Sequence, residues 1–369
     1  MADRPTYSRA QLEQYFDRIV LPQPRRVYSV TEQLGTAAEQ LAYLTRLMKH
    51  QVVKVPFENL SLHYSWHRTI ATRPQLLFRK IVEKQQHTGA GRDGDGDGAP
   101  RPLQCHRGGY CMEVNSFFHT VLRSLGYHVY LAGARVYDPS KKRYGGFSHC
   151  VNIVTLMDGA DGVLQKYMVD VAFGANESAA PLPLATPGTV HTQVAPAQMW
   201  LVHEALPQQL NQDCACWIYQ SRIHPEKEWT PAYCFVDFEF LPEDIAGMNL
   251  SPWKSPGSFF HQKVLVVRFT TDREKLLEFP VDVEGGGLVS SGGGIEEDDA
   301  GDGPGSPDET AVAEGELDGA IILDHDKLKL DVVLQTDAAR VEALRRYFGI
   351  VLDEEDLVAI KGTKGEIKA

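Results

Sequence analysis

The chain has little that would take it into or across a membrane. No apolar run approaches eighteen residues, and the opening Met1-Ala2-Asp3-Arg4-Pro5 leads into no apolar stretch of the kind a secretory leader needs. Neither a membrane span nor secretion is expected, and a cytoplasmic location is. Positive charge is also short: 37 Lys and Arg against 49 Asp and Glu leave a formal net charge of -12 at pH 7. That balance argues against a general nucleic-acid surface, and any phosphate-bearing ligand must find a local site. Metal patterns are thin. Cys214-Ala215-Cys216 with His203 lacks the second pair of a zinc site, and Gly94-Asp95-Gly96-Asp97-Gly98 lacks the spacing and closing Glu of a calcium loop, so no metal is expected. The six cysteines, at positions 105, 111, 150, 214, 216 and 234, read as reduced thiols where no leader points to an oxidising compartment. No internal repeat is evident.

What is present is globular. The 369 residues, 43% of them hydrophobic, allow two or three domains. The first third predicts helices. Ser8 with Gln11 and Thr36 with Glu39 have capping-box spacing, ahead of apolar faces at Leu12, Tyr15, Phe16 and Ile19 and at Leu41, Leu44 and Met48. A third helix is expected over 75–84, then a polar Gly/Asp-rich loop over 87–100. From Tyr127 the pattern turns to strands, at 129–131, 150–156, 167–171, 217–222 and 233–240, which suggests a barrel or strongly curved sheet. In the tail, 263–271 and 320–334 read as strands and 337–348 as a helix capped by Thr336. The Gly/Asp/Glu-rich stretch 283–317 is expected to be disordered.

One segment carries chemistry: Arg107-Gly108-Gly109-Tyr110-Cys111-Met112-Glu113-Val114-Asn115-Ser116-Phe117. Apolar positions at Met112, Phe117, Phe118, Val121, Leu122 and Leu125, stopped by Gly126, predict a helix with Cys111 in or just before its first turn. Orphan N–H groups and the positive end of the helix dipole favour a thiolate there, and Arg107 is expected to add positive charge. A thiolate needs a proton partner. His149 opens an apolar, β-branched run, and Asp170 interrupts another where an unpaired carboxylate would be costly. Both oddities resolve if Asp170 orients His149 and His149 serves Cys111. Taken singly, His149 also reads as a core histidine and Asp170 as a turn residue. Glu113 and Asn115 are expected to bond the loop backbone around Cys111.

With these residues in place, the sequence resembles the arylamine N-acetyltransferases. That family's pattern is R-G-G-aromatic-C-x-E-x-N-x-x-F, then a His at a strand, then a D-V-G-F-G-like segment, and all three occur here in order. Val55-Pro56-Phe57-Glu58-Asn59-Leu60 is similar to its P-F-E-N-L segment. Asp237-Phe238-Glu239 with Asn249, Ser251, Pro256, Ser258 and Phe259 is similar to its D-F-E…N…S-P-x-S-x-F stretch. The likeness covers most of residues 8–280. It departs at Ala172, usually Gly, and in two polar insertions like those of fungal members.

The resemblance implies an α+β fold: a helical bundle over 1–126 ending in the nucleophile helix, a β-barrel over 127–240 bearing His149 and Asp170, and an α/β lid over 241–369. Its core would be like that of cysteine proteases and transglutaminases. It implies ping-pong transfer of an acetyl or other short acyl group, malonyl included, from acyl-CoA to an arylamine, arylhydrazine or arylhydroxylamine, a reaction of xenobiotic metabolism. Cys111 would carry the acyl group, His149 would move the proton and Asp170 would orient it. The Cys111 N–H would meet the developing oxyanion. Gly145, Gly146 and Ser258 match positions near coenzyme A, although the glycine pair equally reads as a hairpin turn. Phe173 matches an acceptor-pocket aromatic and equally reads as core. Two rival readings stand beside this one, a cysteine hydrolase or transglutaminase-like enzyme and a non-catalytic binding module.

Overall fold

The structure, a computed structural model, describes residues 4–83, 107–157, 162–270, 311–316, 319–324 and 327–367. Both expected capping boxes open helices: Ser8 and Gln11 bond reciprocally at α1 (Arg9–Arg18), and after the short α2 (Val30–Gln33), Thr36 and Glu39 do so at α3 (Ala37–Lys54). The chain then forms a two-residue strand, β1 (Phe57–Glu58), and α4 (Pro74–Ile81), which begins on a proline as a first turn favours. It continues into α5 (Cys111–Ser124), which Gly126 terminates with φ +92°. The Gly/Asp-rich loop expected over 87–100 lies outside the described residues.

Eight antiparallel strands follow: β2 (His128–Asp138), β3 (Arg143–Met157), β4 (Leu164–Val169), β5 (Leu182–Pro183), β6 (His191–Thr192), β7 (Gln198–Glu204), β8 (Cys216–Arg222) and β9 (Thr230–Phe235). They lie in the order β5-β4-β3-β2-β9-β8-β7-β6, and β5 comes against β7, so the sheet curls nearly into a barrel. Alternation along β3 assigns its two faces. Val151 and Ile153 point into the barrel with Met168, Leu201, Tyr219, Tyr233 and Phe235, whereas Cys150 and Val154 pack toward the helices with Phe117, Phe118 and Val121.

Beyond the barrel come α6 (Pro242–Lys254), α7 (Phe259–Gln262), β10 (Leu265–Thr270), β11 (Ala311–Glu316), β12 (Gly319–Asp324), β13 (Lys327–Val333), α8 (Asp337–Phe348) and α9 (Glu354–Ala359). The second sheet has the order β1-β10-β11-β12-β13, with Phe57 opposite Val267 and Glu58 opposite Val266. A strand from the helical third is thereby built into the C-terminal layer. Leu60, Tyr64, Val264, Val266, Leu344 and Phe348 form the core there, and Arg340 is buried with its Nε donating to Tyr64 Oη at 2.7 Å.

The architecture is α+β, in the expected order of helices, barrel and α/β layer. It differs from expectation in detail. The barrel sheet has eight strands rather than five. β3 starts at Arg143, so His149 sits inside a strand rather than at its head, and β4 stops at Val169, so Asp170 follows a strand instead of interrupting one. The stretch 320–334 is two strands, broken between Asp324 and Lys327. Within 283–317, expected to be disordered, 311–316 forms β11 against β10 because the β10 edge offers it a full ladder; the remainder lies outside the described residues.

Candidate active site

Two glycines bring the thiol to its place. A Cβ on Gly108 would fall 1.8 Å from the Pro56 carbonyl oxygen, and one on Gly109 would meet the Glu113 side chain at 2.6 Å. Only glycine lets this loop lie against β1, where Glu58 N donates to Gly109 O at 3.1 Å and Gly109 N to Pro56 O at 3.3 Å. Cys111 is then the first residue of α5, and its N–H has no acceptor within the helix. The thiol is nearly buried, 4% exposed, and donates to Ser148 O at 3.7 Å.

β3 and the end of β4 bring up the partners. His149 Nε2 lies 2.8 Å from Asp170 Oδ2, with both side chains buried, and the ring also hydrogen-bonds the Cys111 thiol. With Nε2 engaged by the carboxylate, Nδ1 is the nitrogen left for sulfur. Burial alone would lower the His149 pKa, but the charge and hydrogen bond of Asp170, helped by Cys111, raise it to about 10. Burial likewise opposes ionisation of Asp170. The imidazolium, the Asn115 amide and the Ala172 N–H overcome that and hold the carboxyl below its ordinary value. Ala172, where glycine was the usual residue, is fully buried and keeps a negative φ, so its methyl group is accommodated.

Asn115 corrects one expectation. It does not bond the loop around Cys111. Its Nδ2 donates to Asp170 Oδ1 at 2.8 Å and to Cys150 O at 2.9 Å, while Oδ1 accepts from Val171 N at 3.1 Å. Glu113 behaves as expected, accepting from Tyr110 N at 3.3 Å and pairing with Lys80 at 2.8 Å. Arg107 corrects another: its charge is spent on Glu58, Nε to Oε1 at 3.0 Å, rather than on the thiol. Burial resists that ionisation too, yet Arg107 and Lys80 pull the Glu58 carboxyl down to about 2.

Phe173 is half-buried, its ring edge-on to His149 at 5.1 Å and to Tyr233 at 4.8 Å, so it stands beside the imidazole rather than deep in the core. Gly145 and Gly146 are not a hairpin turn. They lie in β3 as exposed residues beyond the turn at 139–142, and a Cβ on Gly146 would meet nothing within 4 Å. Ser258 caps α7, accepting from Phe260 N at 3.3 Å and donating to Pro252 O at 2.9 Å. The same helix stacks Phe260 on Tyr110 at 5.0 Å, next to the nucleophile.

The sequence reading missed the clamp role of Asn115, the hydrogen bond from Tyr110 Oη to Asn249 that ties the nucleophile turn to α6, and Glu177 beneath Phe173. Four-residue spacing from Cys111 was the available signal for Asn115; the other two depend on contacts that sequence does not encode locally. Cys150 is a buried thiol beside the site, its Sγ donating to Cys111 O at 3.7 Å; away from the site Cys214 is exposed, Cys216 and Cys234 are buried thiols, and His203 stacks on Trp217. Cys105 lies outside the described residues. No described helix is long and apolar enough to cross a membrane.

Comparison with known proteins agrees with this geometry. A family model described as N-acetyltransferase matches residues 40–87 and 102–279. The chain is 33% identical over 292 residues to the N-malonyltransferase FDB2 of Fusarium pseudograminearum, spanning 73% of this chain and 77% of that one. Among solved structures, the arylamine N-acetyltransferase of Salmonella typhimurium superposes with a TM-score of 0.64 at 20% identity, over 96% of this chain and 98% of that one. The Mycobacterium marinum enzyme in complex with CoA gives 0.63 at 21% identity, over 95% and 99%.

Proposed function

The chain belongs to the arylamine N-acetyltransferase family, and from that premise we propose that it transfers a short acyl group from acyl-CoA to an arylamine, arylhydrazine or arylhydroxylamine through an acyl-cysteine at Cys111. The observation that carries the reading is the placement of His149, bonded through Nε2 to a buried Asp170 and meeting the thiol at the start of α5.

In the first half-reaction Cys111 passes its proton to His149 and its sulfur attacks the thioester carbonyl. The Cys111 N–H, free of any helical acceptor, faces the developing oxyanion. The tetrahedral adduct collapses with loss of the coenzyme A thiolate, which leaves with the proton from His149. In the second half-reaction the amine attacks the acyl-cysteine and gives a proton to His149. The thiolate then departs and recovers that proton. Asp170 fixes the tautomer throughout and stabilises the imidazolium. Exchange between sulfurs is nearly isoenergetic, so the acyl group remains transferable.

In this reading acyl-CoA runs along the exposed β3 segment at Gly145 and Gly146, which the open backbone there supports, and Ser258 with α7 closes the lid side. The lid in this reading is 241–369 together with β1. Phe173 lines the acceptor pocket. The acyl group is acetyl or another short acyl, with malonyl among the candidates. Intact mass spectrometry after exposure to acetyl-, propionyl- and malonyl-CoA tests the reading: one of them should leave a stable adduct on Cys111 that an arylamine discharges. Rapid loss of the adduct to water without amine would instead favour a cysteine hydrolase, and no adduct at all a binding module.

A further inference from the structure

Past Asp170 the chain turns back on itself around a buried carboxyl. Glu177 is 4% exposed, and its Oε2 accepts from Phe173 N at 2.8 Å and from Gly174 N at 3.1 Å. Gly174 makes this possible with φ +91°, which turns two successive N–H groups toward one oxygen. The loop is closed further by Glu177 N donating to Gly174 O at 3.0 Å, Ser178 Oγ to Asp170 O at 3.3 Å and Gln193 Nε2 to Glu177 O at 2.7 Å. The ring fixed by this clamp is the one that stands edge-on to His149.

We propose that Glu177 is a positioning residue for the amine-accepting half of the reaction, holding the Phe173 backbone so that its ring keeps the acceptor's approach to His149 in register. The proposal rests on the acyl-transfer reading above. An aromatic amine that reaches acyl-Cys111 must present its nitrogen to the His149 ring, and of the two aromatic rings beside it Phe173 is the partly exposed one, Tyr233 being fully buried. The first half-reaction needs the thiol, the imidazole and Asp170, none of which touches the Glu177 carboxyl.

What the clamp asks of the side chain is one acceptor oxygen, held at the end of a buried carboxyl. Burial first, then the charge of Asp170, push the Glu177 carboxyl well above its ordinary value, while the two N–H groups and His149 pull the other way. Its Oε2 alone satisfies both N–H groups, a role that an amide oxygen can also fill. An amide of the same shape should therefore replace it. A methyl group should not, because it would leave two buried donors unpaired.

The test uses the full chain and separates the half-reactions, following acylation of Cys111 by acetyl- or malonyl-CoA and its discharge by aniline. Glu177→Ala is expected to raise the aniline KM about tenfold while acylation stays within about threefold, and Glu177→Gln to restore the KM to within about threefold of the native protein. In a Phe173→Leu background, Glu177→Ala should add nothing. The inference is overturned if Glu177→Gln is as impaired as Glu177→Ala, if both half-reactions fall together, or if the effect persists without Phe173. Should the alanine variant not fold, Glu177→Asp, which withdraws the acceptor by one methylene, takes its place with the same expectations. A native protein that no acyl-CoA acylates sinks the acyl-transfer reading itself; a native protein that acylates, with an unchanged KM in Glu177→Ala, sinks this inference alone.

Discussion

Asn115 and Asp170 are joined by a 2.8 Å hydrogen bond, and Asn115 lies four residues after Cys111 in α5. One helix therefore supplies the nucleophile from its first residue and, a turn later on the same side, the group that holds the carboxylate. The carboxylate holds His149, and His149 returns to Cys111, so the three chemical groups are closed into a ring through a fourth that does no proton chemistry.

Replacing Asn115 with Leu keeps the branched shape of the amide, at a somewhat larger volume, and removes its bonds. Asp170 Oδ1, Cys150 O and Val171 N then lose a buried partner. The expected cost is about 2 to 4 kcal/mol in urea unfolding, since each unsatisfied buried group is worth roughly 1–3 kcal/mol and the losses overlap. Acylation should slow on the order of a hundredfold as Asp170 gains freedom. Native acylation in a destabilised Asn115→Leu protein would show that Asp170 needs no clamp.

Cys111→Ser should abolish transfer and leave the fold intact. The hydroxyl is close in size to the thiol, sits in a nearly buried position and is a far poorer nucleophile at neutral pH. Circular dichroism matching the native protein, with no adduct from any acyl-CoA by mass spectrometry, is the expected pair of results. Measurable turnover by the serine variant would exclude the covalent route.

The order of Cys111, His149 and Asp170 could be read from sequence because each sits in an odd local setting: a thiol after two glycines, a His in a β-branched run and an Asp beside one. Helix starts could be read for a similar reason, as with Thr36 and Glu39, whose bonds are three residues apart. Pairing over long separations could not. Phe57 finds Val267 across the whole barrel, and a two-residue strand carries no period of its own. β7 was missed although Met199 and Leu201 alternate inward, because the buried part of the run is short and is bounded by the polar Gln198, His203 and Glu204. Glu177 was invisible for a different reason: its value depends on a positive-φ glycine three residues earlier.

Beneath the nucleophile turn, Glu58 ties Arg107 and Lys80 together and accepts from Leu60 N at 2.6 Å. Its pKa falls from 4.5 to about 2, so its contribution to stability is present above pH 4.5 and is lost as pH falls toward 2. Glu58→Gln leaves the half-buried Arg107 without its carboxylate and Lys80 with Glu113 alone, and should cost about 3 kcal/mol at pH 7. The gap between native and variant, measured by urea unfolding, should narrow steadily below pH 4.5. A gap that stays constant down to pH 3 would mean that the side chain's shape, and not its charge, holds the Gly108-Gly109 turn.

Asp170→Asn tests the charge pairing at the centre of the site. The side chain keeps its size, but an amide can accept the wrong imidazole tautomer and no longer offsets the burial of His149, whose pKa of about 10 depends on that carboxylate. The acylation rate should drop on the order of a thousandfold or more, by analogy with other oriented triads. Stability carries a second signature. His149 is raised above its ordinary 6.5, so the stabilisation it draws from Asp170 is complete below pH 6.5 and disappears as pH rises through 10. Asp170 is lowered, so at the acid end the same stabilisation is lost only as pH falls through a value below the ordinary carboxylate range. Thermal unfolding should therefore show the native protein ahead of Asp170→Asn by its largest margin near pH 5 to 6, with the two converging toward pH 10. An asparagine variant that acylates normally, with a margin that does not change between pH 6 and 10, would leave Cys111 and His149 as a dyad with a structural carboxylate behind them.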